Sequence, residues 1–320
     1  MKYAALAISL SFVCQALHAG DGLELLRKMS DSMNTVNYSG TFVYRHKDKV
    51  ETMRIVHGHS SEGISERLIT ISGKPREVIR NDNIVTCVWP ESRVVLVKQE
   101  SSRSHFPGRV PNNLSKLAMY YDVGVIDGIE RIAGRSCLLV EVQPKDEFRY
   151  GYRLWIDQDT NLLVRSDLVN EENESVEQVI FTDLDVHEEF PLQALVPEIS
   201  TEGFEHREIG QLDSESDEPG FNLEAIRLPS GFVIQGRKHR PNKAGTAMAE
   251  QFIYSDGLAF VSVFIESSAE SEKVFGSKRR GALNVYGKTL DGVHITVVGE
   301  VPKKTVQLIA DSVTKTNLND

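Results

Sequence analysis

The sequence has little cysteine and almost no long apolar run, and both shortages limit the class of protein. Three cysteines in 320 residues cannot build the dense disulfide framework of small secreted domains. The longest apolar stretch runs from Tyr3 to Val13 and is too short for a bilayer, which needs ~20 such residues. We therefore expect a soluble protein that is stabilised by an ordinary apolar core.

Motifs of common enzymes and metal sites are also missing. The chain has no G-x-S-x-G, P-loop, G-x-G-x-x-G or H-E-x-x-H. Asp157 opens a run resembling a calcium loop, but Leu162 and Leu168 stand where Gly and Glu are required. His57 and His59 alone cannot supply the four ligands of zinc. We predict no catalytic residue, cofactor or metal site, and expect a polar turn at Asp157 and a solvent-facing strand at the histidines.

The first residues have the pattern of a secretory signal. Lys2 precedes the apolar stretch, and small residues lead to a suitable cleavage point after Ala19. Cys14 suggests a lipoprotein, but the bulky Phe12 and Val13 before it argue against lipidation. We predict a signal peptide over residues 1–19 and export of the remainder.

Export places Cys87 and Cys137 in an oxidising compartment, where two cysteines can pair. A disulfide needs a Cα separation of about 4.4–6.8 Å, which the sequence does not give. A disulfide between them and two separately buried thiols therefore both stay open.

Residues 20–204 predict one long antiparallel sheet with a few helices. Leu26, Met29 and Met33 recur at helical spacing, and so do Leu114 and Leu117, which predict a second helix. Turn residues separate the segments of strand-like alternation. Besides strands at Phe42–Tyr44 and Met53–Ile55, these are 64–71, 84–89, 93–98, 128–132, 136–143, 149–156, 162–169 and 176–185.

Residues 205–220 are acidic and poor in large apolar side chains, which predicts a linker. A second, smaller domain follows over 221–320. Its strands are predicted around 221–228, 232–236, 251–254, 259–265, 282–286 and 294–298, and its last helix begins near Pro302.

Basic residues of the second domain form two compact clusters, although the formal net charge of the chain is −10. Arginine binds carboxylates and phosphates through two parallel hydrogen bonds. The clusters therefore favour docking of an acidic peptide or an anionic lipid head group, and a solvated face that aids solubility is the alternative. The acidic balance of the first domain gives no support for nucleic-acid binding. The candidate docking residues are Arg237, Lys238, Arg240, Arg279 and Arg280.

Several short segments, in their order and spacing, resemble the MucB/RseB family of periplasmic negative regulators of the sigma-E-type envelope stress response. In the first domain they are Pro75–Val78, Tyr120–Asp122, Arg131–Cys137, Tyr152–Asp157 and Arg165–Leu168. In the second they are Leu228–Phe232, Tyr254–Leu258 and Val297–Pro302.

The resemblance implies an α+β protein with two domains. The first is a curved antiparallel half-barrel sheet with helices, similar to the lipoprotein carriers LolA and LolB, and the second is a smaller α+β domain. The family resemblance also implies binding to the periplasmic segment of a transmembrane anti-sigma factor like RseA or MucA. That binding shields the segment from proteolysis until lipopolysaccharide or a mislocalised lipoprotein causes release.

A lipid-binding role requires apolar residues on the concave side of the sheet. Strand parity shows which residues share a face but not which face is concave, so ordinary core packing is the alternative for several of them. A lipoprotein carrier would use the same first domain but gives no reason for the second, and a homo-oligomer stays open. Our candidates are Phe42, Tyr44, Met53, Ile55, Leu114, Leu117, Tyr152, Leu154 and Ile156.

Overall fold

A computed structural model describes most of the chain. The described residues are 19–47, 49–61, 63–99, 114–189, 197–209, 221, 223–241, 248–267 and 274–315. Residues 1–18 of the predicted signal peptide and 210–220 of the predicted linker lie outside them.

Twelve strands of the first domain form one open, curved sheet. The strands are β1 (Asn37–His46), β2 (Lys49–Ser60), β3 (Gly63–Thr70), β4 (Glu77–Asn81), β5 (Ile84–Trp89), β6 (Val94–Gln99), β7 (Tyr121–Ile132), β8 (Arg135–Pro144), β9 (Gly151–Asp157), β10 (Leu163–Val169), β11 (Ser175–His187) and β12 (Glu205–Ile209). Their order is β12-β6-β5-β4-β3-β2-β1-β11-β10-β9-β8-β7.

Ten of the eleven pairings in this sheet are antiparallel, as the predicted meander requires. The exception is β12, which pairs with β6 in parallel from Glu205 opposite Val94 to Ile209 opposite Lys98. The predicted linker is therefore wrong for residues 205–209. The sequence of this acidic segment has little polar–apolar alternation, so it does not predict a strand. The strand is stabilised by its pairing with β6 at the edge of the sheet.

Two helices cover one face of the sheet. Helix α1 (Ala19–Thr35) packs on β7, β8 and β2, and α2 (Leu114–Tyr120) packs on β7. The predicted apolar stripe of α1 is confirmed, because Leu26, Met29 and Met33 are buried in the main core. Burying such a stripe against a sheet is what stabilises a helix of this length.

The described part of the second domain has a six-stranded sheet, a short ribbon and one helix. The elements are β13 (Leu223–Ala225), β14 (Val233–Pro241), β15 (Met248–Ser255), β16 (Phe260–Ser267), β17 (Gly276–Arg280), β18 (Leu283–Leu290), β19 (Val293–Gly299), α3 (Lys303–Ser312) and β20 (Val313–Lys315). The sheet order is β14-β15-β16-β19-β18-β17, and β13 pairs with β20. Helix α3 packs on β18 and β19 and buries Val306 and Ile309. The predicted α+β fold class is confirmed for both domains.

The connection between β8 and β9 holds the second domain through four consecutive residues, and we call this contact the domain seam. Glu147 pairs with Lys304, and the Phe148 carbonyl accepts a hydrogen bond from Thr305 at 2.7 Å. Arg149 pairs with Asp256, and the Tyr150 hydroxyl accepts a hydrogen bond from the Asn284 side-chain amide at 3.0 Å. The seam contacts on the second domain are Ser230, Phe232, Asp256, Ala282, Asn284, Lys304 and Thr305. Tyr120 and His46 of the first domain add close approaches to Gly231 and Gly281.

Candidate functional site

All nine candidate lipid residues belong to a single apolar cluster in the first domain, which we call the main cluster. Six of them are buried and the other three, Tyr44, Leu114 and Tyr152, are partly buried against it. Phe42 lies directly opposite Met53 on the neighbouring strand, so the predicted shared face is correct there. The cluster also contains the α1 stripe. Helix α1 therefore packs on the face to which the candidates belong.

Two tyrosines in this set have strongly perturbed phenol groups. Burial, followed by the nearby carboxylates of Glu177 and Glu300, raises the pKa of both Tyr44 and Tyr152 well above the ordinary range. Burial also raises the pKa of Glu177, against the lowering effect of its hydrogen bond from Tyr44. Both phenols stay neutral at physiological pH and can border an apolar ligand without adding charge.

A pocket of about 510 Å³ with several charged residues in its lining lies beside the domain seam. Of the nine candidate lipid residues, Tyr152 alone lines it, together with charged residues such as Glu141, Arg149, Arg153 and Glu171. This pocket is therefore not the site formed by the nine predicted lipid residues, since it contains one of them and its walls carry charged side chains.

The five candidate docking residues lie on the two opposite edges of the second sheet. Arg237, Lys238 and Arg240 are on β14, whereas Arg279 and Arg280 are on β17. Four strands separate the two edges, which corresponds to five spacings of about 4.8 Å. The structure therefore does not bring the two clusters together into one patch.

The environments of these cations differ. Arg237 is paired with the buried carboxylate of Glu250 and lies 5.2 Å from the centre of the Phe252 ring. Every residue of β17 is exposed, and Arg279 donates only to the carbonyl of Gly281 among the contacts described. Arg279 and Arg280 are therefore freer than Arg237 to bind an acidic partner. The sequence could not distinguish them, because Glu250 is brought to Arg237 by strand pairing.

The two cysteines are buried and are not joined in a disulfide. Cys87 is on β5 and Cys137 is on β8, and seven strands lie between these two in the sheet order. Of the two alternatives left open by the sequence, the disulfide is wrong and the separately buried thiols are confirmed. Burial raises the pKa of the Cys137 thiol to about 11.

Two minor expectations have different outcomes. Asp157 accepts hydrogen bonds from Thr160 in a turn and pairs with Arg135, so the predicted polar turn is confirmed. His57 is 1% exposed and stacks on Tyr38, so a solvent-facing strand is wrong at that position. Within the parts of the chain that the structure describes, no group of three His, Cys, Asp or Glu residues is suited to hold a metal.

Over the same described residues, no helix combines the length and apolar character needed to cross a membrane.

Both domains match family models in chain order. The MucB/RseB N-terminal domain matches residues 21–199, and the MucB/RseB C-terminal domain matches residues 216–314.

Whole-chain relatives agree with these matches. The sigma factor AlgU regulatory protein MucB of Pseudomonas aeruginosa is 30% identical over 306 residues, covering 93% of this chain and 92% of the relative. The sigma-E factor regulatory protein RseB of Haemophilus influenzae is 25% identical over 310 residues, covering 96% of each. In the solved complex of P. aeruginosa MucA and MucB, the matched chain has a TM-score of 0.73 at 26% identity, with 93% of this chain and 99% of that one covered. A second solved structure, MucB in complex with the periplasmic part of MucA, gives a TM-score of 0.71. The chain therefore belongs to the MucB/RseB family.

Proposed function

We propose that this protein is a periplasmic negative regulator that binds the periplasmic segment of a transmembrane anti-sigma factor. It shields that segment from regulated proteolysis and releases it when lipopolysaccharide or the acyl chains of a mislocalised lipoprotein bind. No bond-making chemistry is part of the proposal. The observation that carries it is similarity over both domains to MucB, which has been solved in complex with MucA.

The exposed β17 edge supports the partner-binding half of the proposal. Arg279 and Arg280 follow each other on a strand whose outer side has no neighbouring strand among the described residues. An acidic segment of the partner can there bind guanidinium groups through charge-assisted hydrogen bonds. The β14 edge, which carries the other basic candidates, is the second candidate docking edge. Its Arg237 is less available to a partner because it already pairs with Glu250.

The main cluster supports the lipid-sensing half. Its nine candidate residues are apolar or aromatic and adjoin α1 and α2. An acyl chain entering this cluster gains about 0.8 kcal/mol per buried CH₂ group, and it has to displace helix side chains to do so. A lipid that binds the partner-free form more tightly must lower the affinity for the partner. The partner lowers the affinity for the lipid by the same coupling free energy.

A protease-protection assay tests both halves. The anti-sigma periplasmic domain from the same organism is incubated with its site-1 protease, with and without this protein, and then with added rough-type lipopolysaccharide. We expect protection without lipopolysaccharide and cleavage with it. Binding without protection would contradict the shielding role. Capture of acylated cargo by a protein that shows no affinity for the anti-sigma domain would instead favour a lipoprotein carrier.

Charge reversal tests the docking edge. Arg279→Glu with Arg280→Glu should weaken partner binding at least about tenfold, the order expected when charge-assisted hydrogen bonds become like-charge contacts. The control, Lys28→Glu with Arg131→Glu, makes the same change of net charge at exposed positions of the first domain. Equal partner affinity of the β17 variant and the control, measured by calorimetry, would remove β17 from the proposal.

A further inference from the structure

We infer that the domain seam transmits lipid occupancy of the main cluster to the second domain, and that the junction of α2 and β7 is the transmitting element. This inference rests on the proposed function, because it assigns the regulation of the lipid and partner sites proposed there. It adds the residues through which one site acts on the other.

The junction begins inside the candidate lipid site. Leu117 of α2 is fully buried in the main cluster, and Leu114 packs against it. Helix α2 has seven residues and is followed at once by β7, which begins at Tyr121. A ligand that displaces Leu117 therefore has to shift Tyr120 and Tyr121, because Tyr120 is three positions further along the same short helix and Tyr121 follows it directly.

The same two tyrosines hold the second domain. The Tyr121 hydroxyl donates to Asp256 Oδ2 at 2.8 Å, while its ring is 1% exposed within the main cluster. The Tyr120 ring lies against Gly231 so closely that a Cβ added there would be 2.4 Å from the ring. The same ring has its centre 5.0 Å from the guanidinium carbon of Arg149. A shift of the junction therefore changes two contacts with the second domain together, and a third with Arg149, the arginine that pairs with Asp256.

Asp256 connects these contacts to the geometry of the second sheet. Its other oxygen, Oδ1, accepts the backbone N–H groups of Leu258 and Ala259 at 2.9 and 2.8 Å, in the turn between β15 and β16. Leu258 itself packs against the main cluster of the first domain. The turn that joins two central strands of the second sheet is thus held directly by the first domain.

Tyr152 forms a second route across the seam. It packs against the main cluster and also against a small cluster of Tyr150, Leu168 and Ala282. Ala282 is fully buried and precedes β18 in the second domain. A candidate lipid residue therefore shares a packed cluster with the residue that immediately precedes β18, the strand next to the proposed docking edge β17.

The seam is suited to switching because it resists partial opening. Arg149 and Asp256 have no exposed side-chain surface, and a buried charge that loses its partner is costly. The seam is then either fully formed or opened to water, and packed interfaces of this kind amplify small displacements. If the lipid favours one of these two states of the seam and the partner favours the other, the binding of each lowers the affinity for the other.

Removal of single contacts tests the inference in the full mature chain. Tyr121→Phe deletes the hydroxyl that reaches Asp256 and keeps the ring in the core, whereas Arg149→Met removes the cation. Tyr38→Phe is the matched control, because Tyr38 is a buried tyrosine of the same main cluster and has no described contact with the second domain. The measured quantity is the ratio of anti-sigma affinities without and with rough-type lipopolysaccharide.

We expect a ratio of about ten or more for the wild type and Tyr38→Phe, within the usual range of allosteric coupling, and a ratio below about three for both seam variants. Amide hydrogen exchange adds a structural readout. Lipopolysaccharide should speed exchange at Leu258 and Ala259 in the wild type, and Tyr121→Phe should show fast exchange there without it.

The outcomes separate the two proposals. The inference would be overturned, and the proposed function left intact, if Tyr121→Phe and Arg149→Met both bind lipopolysaccharide and both keep the wild-type ratio of anti-sigma affinities. Bound lipopolysaccharide without any effect on exchange at Leu258 in the wild type would also overturn it. No binding of lipopolysaccharide to the wild type would instead remove the lipid-sensing half of the proposed function and the inference with it.

Discussion

Arg149 and Asp256 form an ion pair between the two domains, with 2.7 Å between Nη1 and Oδ2 and both side chains fully buried. Arg149 also donates to the Ser230 carbonyl at 2.6 Å and to Asp146. Desolvating two charges is expensive and is offset only where their hydrogen-bonding groups find partners. This arginine has such partners, and aromatic rings surround its guanidinium group: Tyr120, Tyr121 and Phe232.

Removal of one member of this pair should destabilise the joined domains. Asp256→Ala leaves the Arg149 cation buried without its carboxylate, which costs about 3–5 kcal/mol of unfolding free energy. We expect urea or thermal unfolding to separate into two transitions, because the domains lose their main contact. Breaking the exposed Glu24–Arg27 pair with Glu24→Ala should leave a single profile. A wild-type profile for Asp256→Ala would show that the pair does not hold the domains together.

Gly231 should not tolerate alanine. It has a φ of 88°, which costs any L-residue some strain, and an added Cβ meets the Tyr120 ring. Gly292 has a φ of 81° with nothing within 4 Å of an added Cβ, so Gly292→Ala carries the backbone cost alone. We expect Gly231→Ala to lower the free energy of unfolding by about 1–3 kcal/mol more than Gly292→Ala does, which is the usual cost of overpacking. Equal losses in urea unfolding would mean that Tyr120 moves freely.

Asp167 should make stability sensitive to acid. Burial acts to raise the pKa of this carboxyl, but hydrogen bonds from Arg165, Gln178 and Ser175 outweigh burial and lower it overall. A lowered pKa means that the stabilisation is present above the unfolded pKa and is lost as the pH falls through the folded pKa.

Asp167→Asn should therefore lower the free energy of unfolding by about 1–3 kcal/mol near pH 7, the typical value of hydrogen bonds to a charged group. The difference in unfolding free energy between the variant and the wild type should shrink below about pH 4. Urea unfolding at several pH values measures this. The exposed Asp159→Asn serves as control, and a difference that grows in acid would contradict the assignment.

Cys137 should be chemically inert in the folded protein. Its side chain is fully buried, and burial raises the pKa of the thiol to about 11, so the reactive thiolate is rare at neutral pH. In a Cys87→Ser background, we expect no labelling by a thiol reagent at pH 8 until urea unfolds the chain. Rapid labelling of the native protein would contradict the buried position.

Much of the fold could be predicted because it depends on local periodicity. The α1 stripe from Leu26 to Met33 and the α3 helix after Pro302 were predicted from spacing and appear where expected. Most sheet strands were also predicted, because alternation and turn residues are local signals. Strand β17 was missed, because its sequence, Gly-Ser-Lys-Arg-Arg, has no apolar alternation and its five residues are all exposed.

The sequence by itself determined the two-domain α+β organisation, the apolar character of the nine candidate lipid residues and the presence of two basic clusters. Tertiary structure decided that these clusters lie on opposite sheet edges, that Cys87 and Cys137 are apart, and that Arg149 meets Asp256. Residue periodicity encodes which face of an element is apolar, but pairing between residues more than a hundred positions apart depends on how whole elements pack. That packing is a property of the assembled sheets and no local pattern contains it.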